Sequence, residues 1–317
     1  MKKRTICILG GTGFVGSHLI NELAKQGHRV RVLARRPERA RHLLVYPNVA
    51  VVEANIHDGQ QLKNQFSGCD TVINLVGILN ESGKGGFQHV HAELPRKVVN
   101  ACREAGVRRL LHMSALHADA QNGPSEYLRS KGAGEAAVLG AQDLDVTVFC
   151  PSVIYGQGDS FFNRFASLLR LSPLVMPLAG SYARFAPIYV GDVVQCYVRA
   201  LDNKATFGQR YDLCGPKTYT LKELVAYTAQ QIGVCRKVIP LGPGMSSFMA
   251  SVLGILPGKL LTKDNVRSMS VDSVCNGDFP AVFDLHPTSL EAVVPRYLGS
   301  KERQKMYQSF RRNAGRD

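Results

Sequence analysis

The turn that follows the first apolar run is rich in glycine, and it constrains the fold more than any other feature of the chain. The run Thr5–Leu9 predicts a buried strand, and the apolar spacing of Phe14–Lys25 predicts a helix. Glycines between a strand and a helix let the backbone pass close to a pyrophosphate, which binds the N–H groups at the positive end of the helix. The sequence therefore predicts a dinucleotide at this turn. Its residues are Gly10, Gly11, Thr12, Gly13, Phe14, Val15 and Gly16.

Apolar runs alternate with helical segments throughout the first half of the chain. Strands separated by helices are typical of a parallel sheet, so we expect an α/β, doubly wound Rossmann sheet with right-handed connections. A ligand should lie at the carboxyl ends of its strands. The predicted strands are 5–9, 29–34, 49–53, 70–76, 109–114 and 146–150, and the last helix between them is 125–139.

The regular alternation ends near Pro151, which predicts a division of the chain. We expect residues 1–155 to form the dinucleotide-binding Rossmann domain, with its sheet completed by later segments near 186–215. Residues 156–317 should form a smaller C-terminal lobe on the substrate or partner side, with a basic tail. The predicted elements of this half are a helix over 161–171, a strand over 186–190, a helix from Asp192 to Leu201, and a helix begun by the capping box Thr220–Glu223.

Tyr127 and Lys131 are about one helical turn apart on the predicted helix 125–139, so their side chains share a face. An ammonium group beside a phenol favours the phenolate, so we expect a depressed pKa for Tyr127. Such a tyrosine can exchange a proton with a substrate oxygen during hydride transfer. Ser114, at the end of the fifth predicted strand, can hydrogen-bond the same oxygen. We take Ser114, Tyr127 and Lys131 as candidate catalytic residues, and the last two also as cofactor-binding residues.

Two arginines follow the second predicted strand, where an acidic residue would bind the ribose 2′-hydroxyl of NAD. Arg35 and Arg36 carry planar guanidinium groups, which suit a 2′-phosphate instead. The alternative is a solvated basic face, because the segment 29–41 holds six arginines. We expect NADP(H) to be preferred over NAD(H).

The ends of three further predicted strands are candidate borders of the dinucleotide. Asn55 and Ile56 should border the adenine. The segment Leu75, Val76 and Gly77 should lie near the ribose next to the adenine, since it ends the fourth strand. Beyond the sixth strand, Pro151 and Val153 should border the nicotinamide. The alternative for each segment is that it only ends a strand and does not contact a dinucleotide.

The composition narrows the classes of partner. The formal net charge of +14 suits phosphate-rich ligands, nucleic acid or an anionic membrane without choosing among them. The basic residues lack interleaved aromatic platforms, so we do not expect nucleic-acid binding.

The eight cysteines are scattered, so we expect neither a metal site nor a disulfide framework. No apolar run reaches about 18 residues, which predicts a cytoplasmic protein, at most peripheral on the inner face of the cytoplasmic membrane.

Residues 245–267 combine an apolar helical pattern with a basic cluster. The segment Met245–Leu256 is too short to cross a bilayer, and Lys259, Lys263 and Arg267 follow it at four-residue intervals. An apolar face beside cationic residues is typical of helices that bind an anionic membrane surface, and a partner protein can be bound in the same way. A helix packed on the smaller lobe is the alternative.

The sequence resembles the extended and atypical short-chain dehydrogenase/reductases over about residues 5–235. Its T-G-x-x-G turn, its Y-x-x-x-K pair and the segment 186–194 carry this resemblance. Within that superfamily it looks most like the atypical, epimerase/dehydratase-like branch that contains the nucleotide-binding accessory subunit of respiratory complex I, and this likeness extends to about residue 300. The motifs are Ser114-Ala115-Leu116, Tyr127-Leu128-Arg129-Ser130-Lys131, Gly134-Glu135, Leu256-Pro257-Gly258, Leu261-Thr262-Lys263-Asp264-Asn265-Val266 and Tyr297-Leu298.

This resemblance implies tight NADPH binding, a peripheral position at the membrane near a quinone site, and a mainly structural role. The chain departs from the sugar-nucleotide epimerases at one position. His91 stands where those enzymes have a helix asparagine, which argues against an epimerase.

Three functions stay open from the sequence. The first is an NADPH-dependent oxidoreductase acting on an apolar, quinone- or isoprenoid-like substrate. The second is a non-catalytic, nucleotide-binding structural or assembly factor of a respiratory or quinone-handling complex, with a lipid or quinone-like ligand. The third, less favoured, is a sugar-nucleotide epimerase, for which Arg164, Arg170 and Arg184 are the only candidates for a diphosphate clamp.

Overall fold

The computed structural model describes residues 3–81, 86–254 and 261–299, in which strands and helices alternate from the first apolar run onward. The strands are β1 Thr5–Leu9, β2 Arg29–Ala34, β3 Val49–Glu53, β4 Thr71–Asn74, β5 Arg109–Met113, β6 Asp145–Pro151, β7 Ile154–Tyr155, β8 Val175–Leu178, β9 Arg184–Phe185, β10 Ile188–Tyr189, β11 Gln209–Leu213, β12 Tyr219–Thr220 and β13 Lys237–Pro240. The α-helices are α1 Phe14–Lys25, α2 Gly59–Phe66, α3 Leu94–Ala105, α4 Glu126–Leu139, α5 Phe161–Leu171, α6 Val190–Ala200, α7 Leu221–Gln231, α8 Pro243–Leu253, α9 Lys263–Ser268 and α10 Leu290–Leu298.

The chain divides into two units, each assembled from separate segments. The first unit is formed by Met1–Pro151, Val190–Leu213 and Cys275–Leu285. The second unit is formed by Ser152–Tyr189, Cys214–Val274 and His286–Asp317.

The first unit is built on a parallel sheet of seven strands in the order β11-β6-β5-β4-β1-β2-β3. The chain moves outward from β1 to β2 and β3, then returns to the other side of β1 with β4, so the predicted doubly wound sheet is confirmed. Strand β11 pairs with β6 in parallel, from Gln209 opposite Thr147. A ligand site is expected where the strand order reverses, at the carboxyl ends of β1 and β4.

The central strands are buried on both faces, as expected for a parallel sheet with helices on each side. All five residues of β5 and all four of β4 are buried. Strand β4 is shorter than the predicted 70–76. The side chain of Asn74 accepts the backbone N–H of Val76 at 3.1 Å, which turns the chain away from the sheet.

The second unit holds three two-stranded sheets, β7–β10, β8–β13 and β9–β12, and a core between α5, α7 and α10. The helix predicted over 161–171 and the capping box Thr220–Glu223 are confirmed. Buried Asp159 accepts N–H groups from Gly156 and Phe162 and the hydroxyl of Tyr297, at 2.6–3.1 Å, so it holds the start of α5.

The strand predicted over 186–190 is wrong in its extent. Ile188 and Tyr189 pair with β7, whereas the N–H of Ala186 donates to the carbonyl of Ser273 and Pro187 between them has no N–H to donate. Helix α6 begins at Val190 rather than at Asp192. The cysteines also differ from expectation in one respect, since Cys214 and Cys275 are each part of a disulfide bond. Scattered spacing cannot reveal such a bond, because it is set by proximity in the fold.

Candidate functional site

The glycine turn joins β1 to α1, and its glycines leave no room for side chains. Gly10 has a φ of +75°, and a Cβ there would lie 2.9 Å from the carbonyl carbon of Leu75. At Gly16 a Cβ would lie 2.5 Å from the Cα of Gly11. Gly13 is the N-cap of α1 and offers no side chain to its first turn. This turn, the glycine cradle (residues 10–16), therefore keeps backbone N–H groups available to an anion, which fits a dinucleotide pyrophosphate.

The loop after β4 runs beside this cradle and reaches Lys131. Leu75 is held there because its N–H donates to the carbonyl of Leu9 at 3.0 Å. Two residues on, a Cβ at Gly77 would lie 3.2 Å from Nζ of Lys131. The structure thus brings together the glycine turn, the segment 75–77 and Lys131, which are far apart in the sequence.

The three candidate catalytic residues lie on β5 and α4. Ser114 directly follows β5, where its N–H donates to the carbonyl of Phe149 at 2.8 Å. Its hydroxyl is buried and has no hydrogen-bond partner among the described residues. Lys131 is buried, and its Nζ donates to the carbonyl of Met113 at 3.1 Å. Tyr127 lies one turn earlier on α4 and is half-buried.

The expected depression of the pKa of Tyr127 is wrong. Burial raises the pKa of Tyr127 to about 12, because removing water penalises the phenolate. Burial also lowers the pKa of Lys131 to about 8, because an ammonium loses hydration in the same way. Spacing along a helix predicts which side chains share a face, but it says nothing about how much water they lose.

Two buried histidines lie close to Lys131, and the sequence did not single out either as part of the site. Burial, followed by the charge of Lys131, lowers the pKa of His91 to about 2 and that of His112 to about 3. Asn74 donates its side-chain amide to Nδ1 of His112 at 3.2 Å. Both rings therefore stay neutral at physiological pH. The only sequence signal was the unusual position of His91 relative to the epimerases.

Arg35 and Arg36 follow β2, and both are exposed. The backbone of Arg36 caps a 3₁₀ helix, Pro37–Leu43, which starts the connection to β3. Both residues thus follow the carboxyl end of β2, the strand next to β1. Their binding of a 2′-phosphate stays a prediction.

The other strand-end residues are placed as follows. Asn55 is exposed after β3, where its side-chain oxygen accepts the N–H of His57 at 3.0 Å, and Ile56 packs against the core of the first unit. Pro151 ends β6, and its carbonyl accepts the N–H of Leu116 at 3.2 Å. Val153 belongs to the second unit, where its carbonyl accepts the N–H of Ile188. Their contacts with a dinucleotide stay predictions. No group of three metal-ligating side chains occurs within residues 3–81, 86–254 and 261–299.

Helix α8, in the second unit, has three of its five larger apolar side chains exposed to solvent, while Met249 and Leu253 are half-buried. Met245 is 57% exposed, Phe248 is 66% exposed and Val252 is 48% exposed. The buried positions are Ser246 and Ala250, so small residues make the contact with the rest of the unit. A helix packed in a core would instead bury its large apolar side chains. No helix of the described residues is long and apolar enough to span a membrane. Residues 255–260, including Leu256 and the Leu256-Pro257-Gly258 motif, and the tail from 300 lie outside the described residues.

Comparisons with known proteins agree on the nucleotide-binding fold. A family model described as NAD(P)H-binding matches residues 10–160, which include the glycine turn and Lys131. NADH dehydrogenase (ubiquinone) 1 alpha subcomplex subunit 9 of Mus musculus is 29% identical over 298 residues, covering 90% of this chain and 77% of that protein. The ceramide reductase of Caulobacter vibrioides is 34% identical over 192 residues, covering 59% of this chain and 57% of that protein.

Solved structures show the same fold at lower identity. MoeE5 in complex with UDP-glucose and NAD matches with a TM-score of 0.72 and 18% identity, covering 95% of this chain and 99% of that one. At this identity the likeness shows the fold alone. By sequence and fold together, the chain has a Rossmann-like α/β fold whose residues 10–160 match an NAD(P)H-binding family, and it resembles NADH dehydrogenase (ubiquinone) 1 alpha subcomplex subunit 9.

Proposed function

We propose that the protein is an NADPH-dependent reductase in which Ser114, Tyr127 and Lys131 act on the carbonyl group of an apolar substrate. One observation carries the proposal. The buried ammonium of Lys131 lies against Gly77, beside the glycine cradle, and donates to the carbonyl of Met113. The next residue, Ser114, has a buried hydroxyl with no hydrogen-bond partner among the described residues. A buried cation and an unpaired buried hydroxyl are costly unless a ligand uses them.

The protonation states favour reduction over oxidation. Burial raises the pKa of Tyr127 to about 12, so its phenol is protonated at neutral pH and can donate a proton. Bound NADPH would supply a hydride to the carbonyl carbon. Tyr127 would then give its proton to the oxygen, Ser114 would hold that oxygen by a hydrogen bond, and the product would be an alcohol. Lys131 would bind the ribose hydroxyls and favour the phenolate left on Tyr127.

The preference for NADPH rests on the end of β2. Arg35 and Arg36 stand where an acidic residue would select NAD, and both guanidinium groups are exposed to a ligand. Bidentate binding of a 2′-phosphate is the chemistry that arginine performs best.

The apolar substrate class has two supports. The first is the similarity to a protein named ceramide reductase, whose name implies a lipid substrate. The second is helix α8, whose exposed apolar face would place the protein at a membrane surface where such a substrate resides. A quinone- or isoprenoid-like carbonyl compound is the corresponding ligand.

The proposal is tested by NADPH oxidation with quinones, enones and long-chain ketones or aldehydes. Turnover with one of these classes should fall by about 10²-fold or more in Tyr127→Phe, the usual scale for losing a general acid. The matched control is Tyr182→Phe, at an exposed tyrosine of the second unit, which should retain full activity. Full activity of Tyr127→Phe would contradict the role assigned to the phenol.

The second candidate function is a non-catalytic, nucleotide-binding structural or assembly factor of a respiratory complex. The exposed apolar face of α8 and the similarity to a subunit of mitochondrial NADH dehydrogenase favour it. Such a protein would lie on the inner face of the cytoplasmic membrane. NADPH that stays bound without turnover of any substrate in the panel would favour this function over the reductase.

A further inference from the structure

A series of hydrogen bonds through His91 joins the loop after β4 to the helix that carries Tyr127 and Lys131. The backbone N–H of Ile78 donates to Nε2 of His91 at 3.0 Å. On the other side of the ring, Nδ1 lies 3.0 Å from Oγ of Ser130. That hydroxyl donates to the carbonyl of Tyr127 at 2.8 Å. One imidazole thus connects two elements that lie 13 and 39 residues away in the sequence.

The backbone donor determines the tautomer of this ring. A backbone N–H can only donate, so Nε2 of His91 must accept and carries no proton. The proton of the neutral ring is then on Nδ1, which donates to Oγ of Ser130. Because Ser130 gives its own proton to the carbonyl of Tyr127, its oxygen is available to accept. Donors and acceptors therefore alternate without conflict from Ile78 to Tyr127.

The ring of His91 is enclosed by other side chains. It is stacked on Phe87, with ring centroids 5.5 Å apart, and lies edge-on to Tyr127 at 5.4 Å. The charged or titratable neighbours are Lys131 on α4 and His112 on β5. Burial and these neighbours lower the pKa of His91 to about 2, so the ring stays neutral and the hydrogen bonds persist. A ring fixed by two hydrogen bonds and two aromatic contacts has little freedom to move.

We propose that His91 is a positioning residue, whose single tautomer holds the loop Leu75–Ile78 against α4 and so sets the geometry between bound dinucleotide and Tyr127. The inference rests on the dinucleotide site at the glycine turn and on the role proposed for Tyr127. Gly77 supports it, because a Cβ there would lie 3.7 Å from Nε2 of His91 and 3.2 Å from Nζ of Lys131. The imidazole and the ammonium therefore meet the loop at the same residue.

The tautomer can be measured directly in protein labelled with ¹⁵N-histidine, by two-bond ¹H–¹⁵N correlation. We expect a ring protonated at Nδ1 and not at Nε2, unchanged between about pH 5 and 8, where an ordinary histidine titrates. The signal is assigned by its loss in His91→Gln. An Nε2-protonated ring at this position, or one that titrates in this range, would overturn the inference. This measurement requires no bound nucleotide.

The positioning role is measured by the dissociation constant of NADPH. His91→Leu leaves the N–H of Ile78 unpaired and should weaken binding about tenfold or more. His91→Gln should restore part of the affinity, because an amide offers one donor and one acceptor. His89→Leu is the control, since His89 is exposed on the same π-helix, Gln88–Glu93, and bonds Glu93. If His91 only stabilised the fold, His91→Leu would lower the melting temperature, but His91→Leu and His91→Gln would bind NADPH with the same affinity.

The outcomes separate the two proposals. If the wild-type protein binds no NADPH, the dinucleotide site fails, and the tautomer measurement still tests His91. If the wild type binds NADPH and folded His91→Leu binds it equally well, the positioning role is wrong. If His91→Leu does not fold, Ser130→Ala replaces it, because it keeps the imidazole and removes the acceptor of Nδ1 together with the hydrogen bond to the carbonyl of Tyr127. Unchanged NADPH affinity in folded Ser130→Ala would then count against the role.

Discussion

The ammonium of Lys131 lies against the backbone of Gly77, so closely that a methyl group at position 77 would be 3.2 Å from Nζ. The same Nζ donates to the carbonyl of Met113 at 3.1 Å. Lys131 therefore sits where the loop after β4, the end of β5 and helix α4 meet. A cation at this junction can act on both a nucleotide ribose and a neighbouring phenol.

Gly77→Ala should weaken NADPH binding several-fold with little change in the free energy of unfolding. The added methyl group would crowd Nζ of Lys131, and a contact near 3.2 Å requires the flexible lysine to move. Isothermal titration measures the dissociation constant. Gly59→Ala is the control, because a Cβ at Gly59 has nothing within 4 Å. Equal affinities of the wild type and Gly77→Ala would show that the position of Nζ does not matter for binding.

The double variant Arg35→Ala/Arg36→Ala should lose its preference for NADPH over NADH. Each charge-assisted hydrogen bond to a phosphate contributes about 1.5–3 kcal/mol, so NADPH affinity should fall roughly tenfold or more while NADH affinity is retained. The control is Arg39→Ala/Arg41→Ala, which removes two exposed arginines of the same segment. Equal wild-type affinities for the two cofactors would refute the prediction, as would an unchanged preference in the double variant.

Lys131→Met should stabilise the protein without nucleotide at neutral pH and weaken NADPH binding. Burial lowers the pKa of Lys131 from 10.5 to about 8, so below about pH 8 the folded state holds an ammonium at a cost. Removing it should raise the free energy of unfolding at pH 7 by on the order of 1–3 kcal/mol.

The pH dependence of this effect has a definite sign. Between about pH 8 and 10.5 the unfolded state binds more protons than the folded state, so the wild type gains stability as pH rises. The difference in the free energy of unfolding between the wild type and Lys131→Met, measured by urea unfolding, should therefore decrease over that pH range. Lys63→Met, at a lysine whose side chain is 42% exposed, is the control and should show no such trend. A variant that is less stable at pH 7 would indicate that Lys131 is a net stabilising residue.

Helix α8 should bind anionic vesicles in a salt-dependent manner. The exposed apolar residues Met245 and Phe248 would enter the interface, and the basic residues Lys263 and Arg267 of α9 would attract anionic headgroups. Sedimentation with phosphatidylglycerol vesicles should decrease from about 0.05 to 0.5 M salt, because screening weakens the attraction.

The double variant Met245→Asp/Phe248→Asp should lose this binding and stay folded. Ser247→Asp is the matched control, since it adds one charge to the same helix at an exposed polar position. Vesicle binding that survives the double variant would place the membrane contact elsewhere.

The first half of the fold follows closely from the sequence, because long apolar strands and amphipathic helices are determined by local pattern. The six strands up to β6 and helix α4 lie within a few residues of their predicted bounds. Strands such as β7 and β10 have two residues each and are formed by pairing with distant segments. The local pattern predicted β10 only within a longer strand, 186–190, and did not predict β7.

The candidate site could likewise be predicted only in part from the sequence. The Y-x-x-x-K spacing predicted that Tyr127 and Lys131 share a face, but the pKa of Tyr127 shifts in the opposite direction because burial dominates. The link from Ile78 through His91 to Ser130 depends on three separate segments. Only the folded chain brings those segments together.

The most direct test of the reductase is deuteride transfer from NADPH labelled at C4 of the nicotinamide. Incubation with the long-chain ketones and aldehydes of the panel, followed by mass spectrometry of the products, detects the transfer, because their alcohols hold the deuterium on carbon. Quinones are followed by NADPH oxidation instead, because deuterium on a quinol oxygen exchanges with water. The account predicts an alcohol carrying one deuterium from the wild type and from Tyr182→Phe, and about 10²-fold less from Tyr127→Phe. Bound NADPH with no deuterium in any alcohol and no oxidation by any quinone would contradict the reductase and leave the nucleotide as a structural ligand.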